Sequence, residues 1–331
     1  MYSETIELTY SHQDLGALNE FGLMCLFGSL HSKALVRGLS TTVEDIRDAH
    51  GRQLYPAYFH THLRVPTGCE LESFGAWKPV QAGVEVRRFG KCYLDSTYVI
   101  KPGSGVEAGA TALTAEDVQS GKYPTMRGNN LFIVDVCEDA SVARQLAVPD
   151  AGTVASLDAV KEKPAAIQRV KDVARNATVS AERAWPLSTT ESIAYAVVPG
   201  RDVAVGHAMI FARFAQVMDY AEHAFFTEQL GLELGDEERA GYRLREREIF
   251  YLSNAYAGDT IDVAVRAAVA EVMDGGERRL VVETEYRLYR RSNLELLAVG
   301  TAKKEAVNPA ARRVFSPLAT AAVAPNVCAP L

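Results

Sequence analysis

His207-Ala-Met-Ile-Phe-Ala-Arg-Phe-Ala-Gln-Val-Met-Asp-Tyr-Ala-Glu-His-Ala-Phe-Phe-Thr-Glu-Gln-Leu230 places Phe211, Phe214, Met218, Ala221 and Phe225 at three- and four-residue steps. That spacing lines one face of a helix and predicts helix from about His207 to Leu230. The stretches that follow change period. Ile261, Val263, Val265, Ala267 and Val269 alternate with Asp262, Ala264, Arg266 and Ala268, as in a strand with one covered face. Further strands are predicted at Tyr242 to Ser253, Arg279 to Arg290 and Leu296 to Lys303, with Asp274-Gly275-Gly276 as a hairpin turn. A long helix followed by strands on short turns reads as α+β, an antiparallel sheet with the helix over one face.

The same order occurs earlier in the chain. A strand-like segment, Glu4 to Tyr10, precedes a helix-like stretch from Leu15 to about His31. Strands are then predicted at Leu54 to Val65, Gly83 to Arg88 and Lys91 to Lys101. In the later copy, Ile193 to Val198 takes the place of the first strand. Corresponding elements lie roughly 190 residues apart, the mark of an internal repeat. The expected organisation is an N-terminal unit over 1–150, a linker over 151–190, a C-terminal unit over 191–310 and a tail over 311–331. Pro102 to Ala112 reads as a loop, Asn130 to Val136 as a further strand, and Ala165 to Asn176 as an amphipathic connecting helix. The Ala- and Pro-rich stretch from Asn308 is expected to lie over the surface or move freely.

Composition narrows the function. With 48% apolar and 23% charged residues among 331, the chain has the means to bury a large core. Lys and Arg are outnumbered 35 to 42 by acids, which argues against a nucleic-acid surface. Five scattered cysteines without a C-x-x-C pair suit a reducing cytoplasm. The start, MYSETIELTYSHQD, has neither the basic residues nor the apolar run of a signal peptide, and no membrane span is expected.

Four segments carry a family resemblance. Asp202 to Glu222 is similar to the central helix of a hot-dog fold, and Arg247 to Asp259 to the strand and turn that follow it in acyl-thioester enzymes. Leu15 to His31, with Gly51-Arg-Gln-Leu-Tyr55-Pro-Ala-Tyr-Phe59, resembles the double hot-dog bifunctional acyltransferase/decarboxylase of leinamycin biosynthesis. The family's pattern is changed at Leu18-Asn19-Glu20 (L-S-E), His31-Ser32 (His-Trp) and Asp202-Val203-Ala204 (D-F-N). The resemblance implies a double hot-dog fold, two sheets each wrapped around a long helix. It also implies transfer of a methylmalonyl-type acyl group from CoA to an acyl carrier protein with loss of carbon dioxide, in polyketide-type biosynthesis. Tyr55 is the position similar to that family's acyl-accepting tyrosine. The only cofactor-like group implied is the CoA or phosphopantetheine thioester of the substrate.

The residues themselves leave several chemistries open. A helix N-terminus polarises a thioester carbonyl, and Gly16 and Gly206 would let substrate approach the two starts, with Asn19 beside the first. Each glycine equally eases a loop into a helix. Tyr58, three residues beyond Tyr55 on an extended strand, falls on the other face unless Pro56 marks a bulge. Asp202 and His207 share the five-residue spacing of hot-dog hydratases, and Glu20 or Glu222 would activate water in a thioesterase or form a helix salt bridge. His60 and His62 share a strand face without a third ligand at metal-site spacing, so no metal is expected. A non-catalytic hot-dog protein that binds a carrier protein is the remaining alternative. The duplicated chain is expected to act as a monomeric pseudo-dimer or to pair as a homodimer.

Overall fold

The structure is a computed structural model that describes residues 1–9, 13–14, 17–39, 41–75, 78–103, 113–134, 146–150, 156–180, 182–203, 208–274 and 276–321. The first half runs β1 (Tyr2–Glu7), the two-residue β2 (Gln13–Asp14) and β3 (Ala17–Leu18), α1 (Glu20–Leu39), β4 (Leu54–Arg64), β5 (Pro79–Phe89), β6 (Tyr93–Pro102), α2 (Ala115–Gln119) and β7 (Thr125–Val134). After the connecting helix α3 (Ala165–Asn176) come β8 (Leu187–Ser188), β9 (Ile193–Ala196), α4 (Phe211–Ala224), α5 (Asp236–Ala240), β10 (Tyr242–Tyr251), β11 (Thr260–Asp274), β12 (Glu277–Arg290), β13 (Glu295–Ala306) and α6 (Pro309–Ala321).

Strand order shows the repeat. The first half pairs as β1-β5-β6-β7-β4 and the second as β9-β11-β12-β13-β10, with every neighbour antiparallel. The two join edge to edge through β4 and β10, from Arg64 opposite Glu246 to His60 opposite Phe250. This pairing satisfies the backbone groups of what would otherwise be two open edges. One apolar core runs through both halves, with Leu23 and Phe27 of α1 and Phe214 and Met218 of α4 fully or almost fully buried. Burying a single side chain of this size stabilises the fold by about 1.5–3 kcal/mol.

Several boundaries differ from the sequence expectations. α1 extends past His31 to Leu39, because Leu35 and Leu39 are needed to close a second cluster with Leu54 and Phe132. α4 starts at Phe211 and passes into a π-helical turn, Phe225–Gln229. β7 begins at Thr125, earlier than Asn130, while Asp135 and Val136 lie outside the described residues. Of the stretch after Asn308, residues 322–331 lie outside the described residues, while 309–321 form a docked helix. Its Ala311 and Phe315, four apart, reach the core, and the Phe315 ring lies 4.7 Å from that of Tyr242.

α3 has the bounds its amphipathic pattern predicts and crosses the junction on the outer face of the sheet. Ala166 and Ile167 pack on Phe59 of β4, and Val173 packs on Phe250 and Val299 of β10 and β13. A bulge between Tyr58 and His60 in the β4–β7 ladder leaves Phe59 as the extra residue. Beside it, His60 Nε2 faces Glu248 Oε1 at 2.8 Å, and Arg169 of α3 holds both oxygens of Glu248 at 2.5 and 2.7 Å. Burial alone would raise the Glu248 carboxyl; His60 and Arg169 outweigh it and hold the group at about 2. A depressed carboxyl contributes stability that is present above its unfolded value of 4.5 and is lost as pH falls through about 2. Glu248→Gln is therefore expected to melt below the wild type at pH 6 and to converge with it by pH 2. Parallel melting curves across that range would remove Glu248 from the acid response.

Candidate active site

The two central helices set two related places at the junction. The first residue of each helix meets the ninth of the other: Phe211 packs over Gly28, and Glu20 reaches Asp219 through Arg247. A Cβ at Gly28 would stand 3.1 Å from Phe211 Cε1, so glycine is what lets the start of α4 lie this close to α1. The twelfth residue of each helix is polar and buried, His31 in α1 and Glu222 in α4. Each faces a hydroxyl of the third strand, Ser96 of Ser96-Thr97-Tyr98 or Thr284 of Thr284-Glu285-Tyr286. The halves therefore repeat the geometry and differ in its chemistry.

At the start of α4 the groups are neutral. Tyr58 Oη lies 2.6 Å from Tyr98 Oη, which lies 2.8 Å from His31 Nδ1; Ser96 Oγ is 3.3 Å from the same nitrogen. The Tyr58 ring stacks on Phe211 at 4.4 Å. A Cβ at Gly128 would stand 2.8 Å from Tyr58 and 3.1 Å from Tyr98, so a side chain there would part the phenols. Burial lowers the His31 imidazole to about 3. It raises the Tyr58 phenol far above its ordinary value, helped by the phenols of Tyr98, Tyr55 and Tyr251, and raises Tyr98 as well. Near neutral pH all three are uncharged hydrogen-bonding groups. Ile210 at the N-cap of α4 gives no side-chain bond, and among the described residues no side chain caps this positive helix end.

At the start of α1 the groups are ionisable and paired. Arg247, 1% exposed, donates from Nε to Glu20 at 2.9 Å and from Nη2 to Asp219 at 2.5 Å. Lys304 donates to Asp219 at 2.7 Å and to Glu222, which also accepts from Tyr242 at 3.0 Å and Thr284 at 2.7 Å. Burial and then the Asp219 charge push the Glu20 carboxyl up to about 7 against the pull of Arg247 and Lys304. Burial also works against Asp219, but Arg247 and Lys304 bring it to about 2. A cavity of about 340 Å³ opens beside this network, walled by Phe226, Leu234 and Tyr242.

The sequence candidates fall as follows. Tyr55 on β4 is 49% exposed and, with no irregularity between it and Tyr58 in the ladder, faces the other side of the sheet. Asp202 is fully buried, accepts the Val198 N–H at 2.8 Å and the Arg201 fork at 2.8 and 2.9 Å, and its own carbonyl receives the Ile210 N–H at 2.9 Å. These bonds close the loop that leads into α4. Burial alone would raise the Asp202 carboxyl, and the Arg201 and Val198 contacts hold it below the usual range. Glu20 is the first residue of α1 and sits on Arg247; Asn19 caps that helix, accepting the Gly22 N–H at 2.6 Å. Gly16, Gly206 and His207, as well as His12, lie outside the described residues. His60 and His62 each face a separate carboxylate, Glu248 and Glu246. Tyr98, Arg247 and Lys304 were not singled out in the sequence; the repeated Ser/Thr-x-Tyr on the third strand of each half is the signal that would have found the first.

Comparisons agree with this architecture. A protein from Lactobacillus plantarum assigned as an oleoyl thioesterase superposes with a TM-score of 0.61 at 12% identity, over 93% of this chain and 96% of that one. An acyl-ACP thioesterase from Bacteroides thetaiotaomicron gives 0.54 at 12% identity, over 92% and 97%. The 12:0-ACP thioesterase from Umbellularia californica gives 0.54 at 10% identity, over 92% and 96%. No protein-family model matches the chain, and no curated protein matches it. The chain has the double hot-dog α+β fold.

Proposed function

We propose that the protein acts on acyl thioesters, transferring a methylmalonyl-type acyl group from CoA to an acyl carrier protein with loss of carbon dioxide, at the junction beside the start of α4. The observation that carries this reading is the neutral donor set of Tyr58, Tyr98 and His31 against that helix start. Thioester hydrolysis needs a base to activate water. Loss of a carboxylate needs none; it needs a low-polarity site with donors at the oxygen where enolate charge develops. Asp202, the nearest carboxylate on the N-terminal side of α4, is engaged by Arg201 and Val198. The superposed thioesterases add a substrate class in keeping with this reading.

Tyr55 is the acyl acceptor in this scheme. Its phenol oxygen adds to the thioester carbonyl, the C–S bond breaks, and the CoA thiolate leaves with the phenol proton. Loss of the substrate carboxylate as carbon dioxide precedes this transfer, while the acyl group is still on CoA at the α4 start, because Tyr55 and Tyr58 face opposite sides of β4; the electron pair passes to the enolate oxygen, held by the α4 start and Tyr58. The α-carbon then takes a proton from solvent. The carrier thiol attacks the propionyl ester and returns its proton to Tyr55, whose half-exposed position suits delivery by a flexible pantetheine arm. Incubation with methylmalonyl-CoA and peptide mass spectrometry is expected to find a propionyl mark on Tyr55, absent in Tyr55→Phe. Free propionate or methylmalonate with no acylated peptide would favour the thioesterase reading and end the role of Tyr55.

A further inference from the structure

The proton order along the Tyr58–Tyr98–His31 chain can be decided from burial. His31 is 3% exposed, and its Nε2 is buried with no hydrogen-bond partner among the described residues. Among them its Nδ1 has two oxygens in reach, Tyr98 Oη at 2.8 Å and Ser96 Oγ at 3.3 Å. Two tautomers are open to the neutral ring. With the proton on Nε2, a buried N–H would have no acceptor. With the proton on Nδ1, only a lone pair is left without a partner, and an orphaned donor is the rarer of the two in folded proteins.

The choice propagates. We infer that His31 carries its proton on Nδ1 and is a positioning residue, which fixes Tyr58 as a hydrogen-bond donor to the junction. The Nδ1–H donates to Tyr98 Oη, Tyr98 O–H donates to Tyr58 Oη, and the Tyr58 O–H is left to point at the reacting oxygen. The opposite tautomer reverses every bond and makes Tyr58 an acceptor, which would repel an enolate. Cooperative polarisation along three buried groups strengthens the terminal donor. Gly128 protects the arrangement, because a side chain there would separate the two phenols. Glu222, the counterpart of His31 in α4, is instead an acceptor for Tyr242 and Thr284. The donor chain therefore belongs to one of the two repeats.

The catalytic meaning of this chain rests on the reaction proposed above, while its proton order does not. Long-range nitrogen–proton correlation spectra of the full chain labelled with nitrogen-15 histidine report the tautomer; a His31→Phe spectrum identifies the resonances. Protonated Nδ1 and bare Nε2 are expected, and the reverse pattern overturns the inference. Tyr98→Phe keeps the ring that stacks on Phe27 at 5.1 Å and breaks only the chain. It is expected to lower kcat for carbon dioxide release from methylmalonyl-CoA about tenfold, with KM within about twofold. An unchanged kcat in Tyr98→Phe, where Tyr58→Phe is impaired, also overturns it. If the wild type releases no carbon dioxide, the proposed reaction fails and the tautomer alone decides the proton order.

Discussion

Replacing Arg247 by alanine is expected to destabilise the protein by about 3–5 kcal/mol at pH 8, where the Glu20 carboxyl is ionised and would lose its buried partner. The guanidinium is 1% exposed and is bonded to Glu20 of one half and Asp219 of the other, and it lies 5.6 Å from the Tyr286 ring. Asp219 keeps Lys304 as a partner, so the cost falls mainly on Glu20. Urea unfolding monitored by fluorescence measures the loss, and a change below about 1 kcal/mol would mean that the network relaxes as an exposed pair does. Combining Arg247→Met with Glu20→Gln removes both charges and is expected to recover a large part of the loss.

Glu20 adds a pH signature to the same network. A carboxyl raised from 4.5 to about 7 binds its proton more tightly when folded. Its contribution to stability is fully present below pH 4.5 and is lost as pH rises through about 7. This slope is opposite to that of Glu248, and Glu20→Gln should flatten it. The two variants together separate the junction's inner network from its outer strap.

Tyr58→Phe is expected to lower kcat for methylmalonyl-CoA decarboxylation about a hundredfold, the usual effect of losing one preorganised donor to a developing oxyanion. KM should stay within about threefold, because the donor acts on charge that appears only in the transition state. The phenyl ring retains its stacking on Phe211 at 4.4 Å, while the buried Tyr98 O–H loses its acceptor, so the fold should be kept with a modest fall in melting temperature. Stopped-time assays of released carbon dioxide on wild type and variant provide the comparison. Equal kcat values would take Tyr58 out of the chemistry; a rise in KM alone would assign it to ground-state binding.

The contrast between Tyr55 and Tyr58 shows how far the sequence could be followed. Both tyrosines were visible on one strand, and alternation separated their faces. Pro56 drew attention to a bulge, yet the extra residue is Phe59, between Tyr58 and His60. That irregularity is set by what each side must cover, α3 outside and the central helices inside. Resemblance singled out Tyr55, whereas burial and the contact with Tyr98 singled out Tyr58. Glu20 was legible as a helix carboxylate with two meanings, and Arg247 decided between them.

Local periodicity by itself determined the helices, the strands and the duplication, because periods of 3.6 and 2 depend only on neighbours along the chain. A repeat of helix and antiparallel strands also determined the α+β class. The tertiary structure alone decided which polar residues share a site. Glu20 and Arg247 are 227 positions apart, His60 and Glu248 are 188 apart, and Tyr58 and Tyr98 are 40 apart. These meetings follow from the β4–β10 register and from one helix start lying on the ninth residue of the other. Long-range packing fixes both, and no window of sequence contains it.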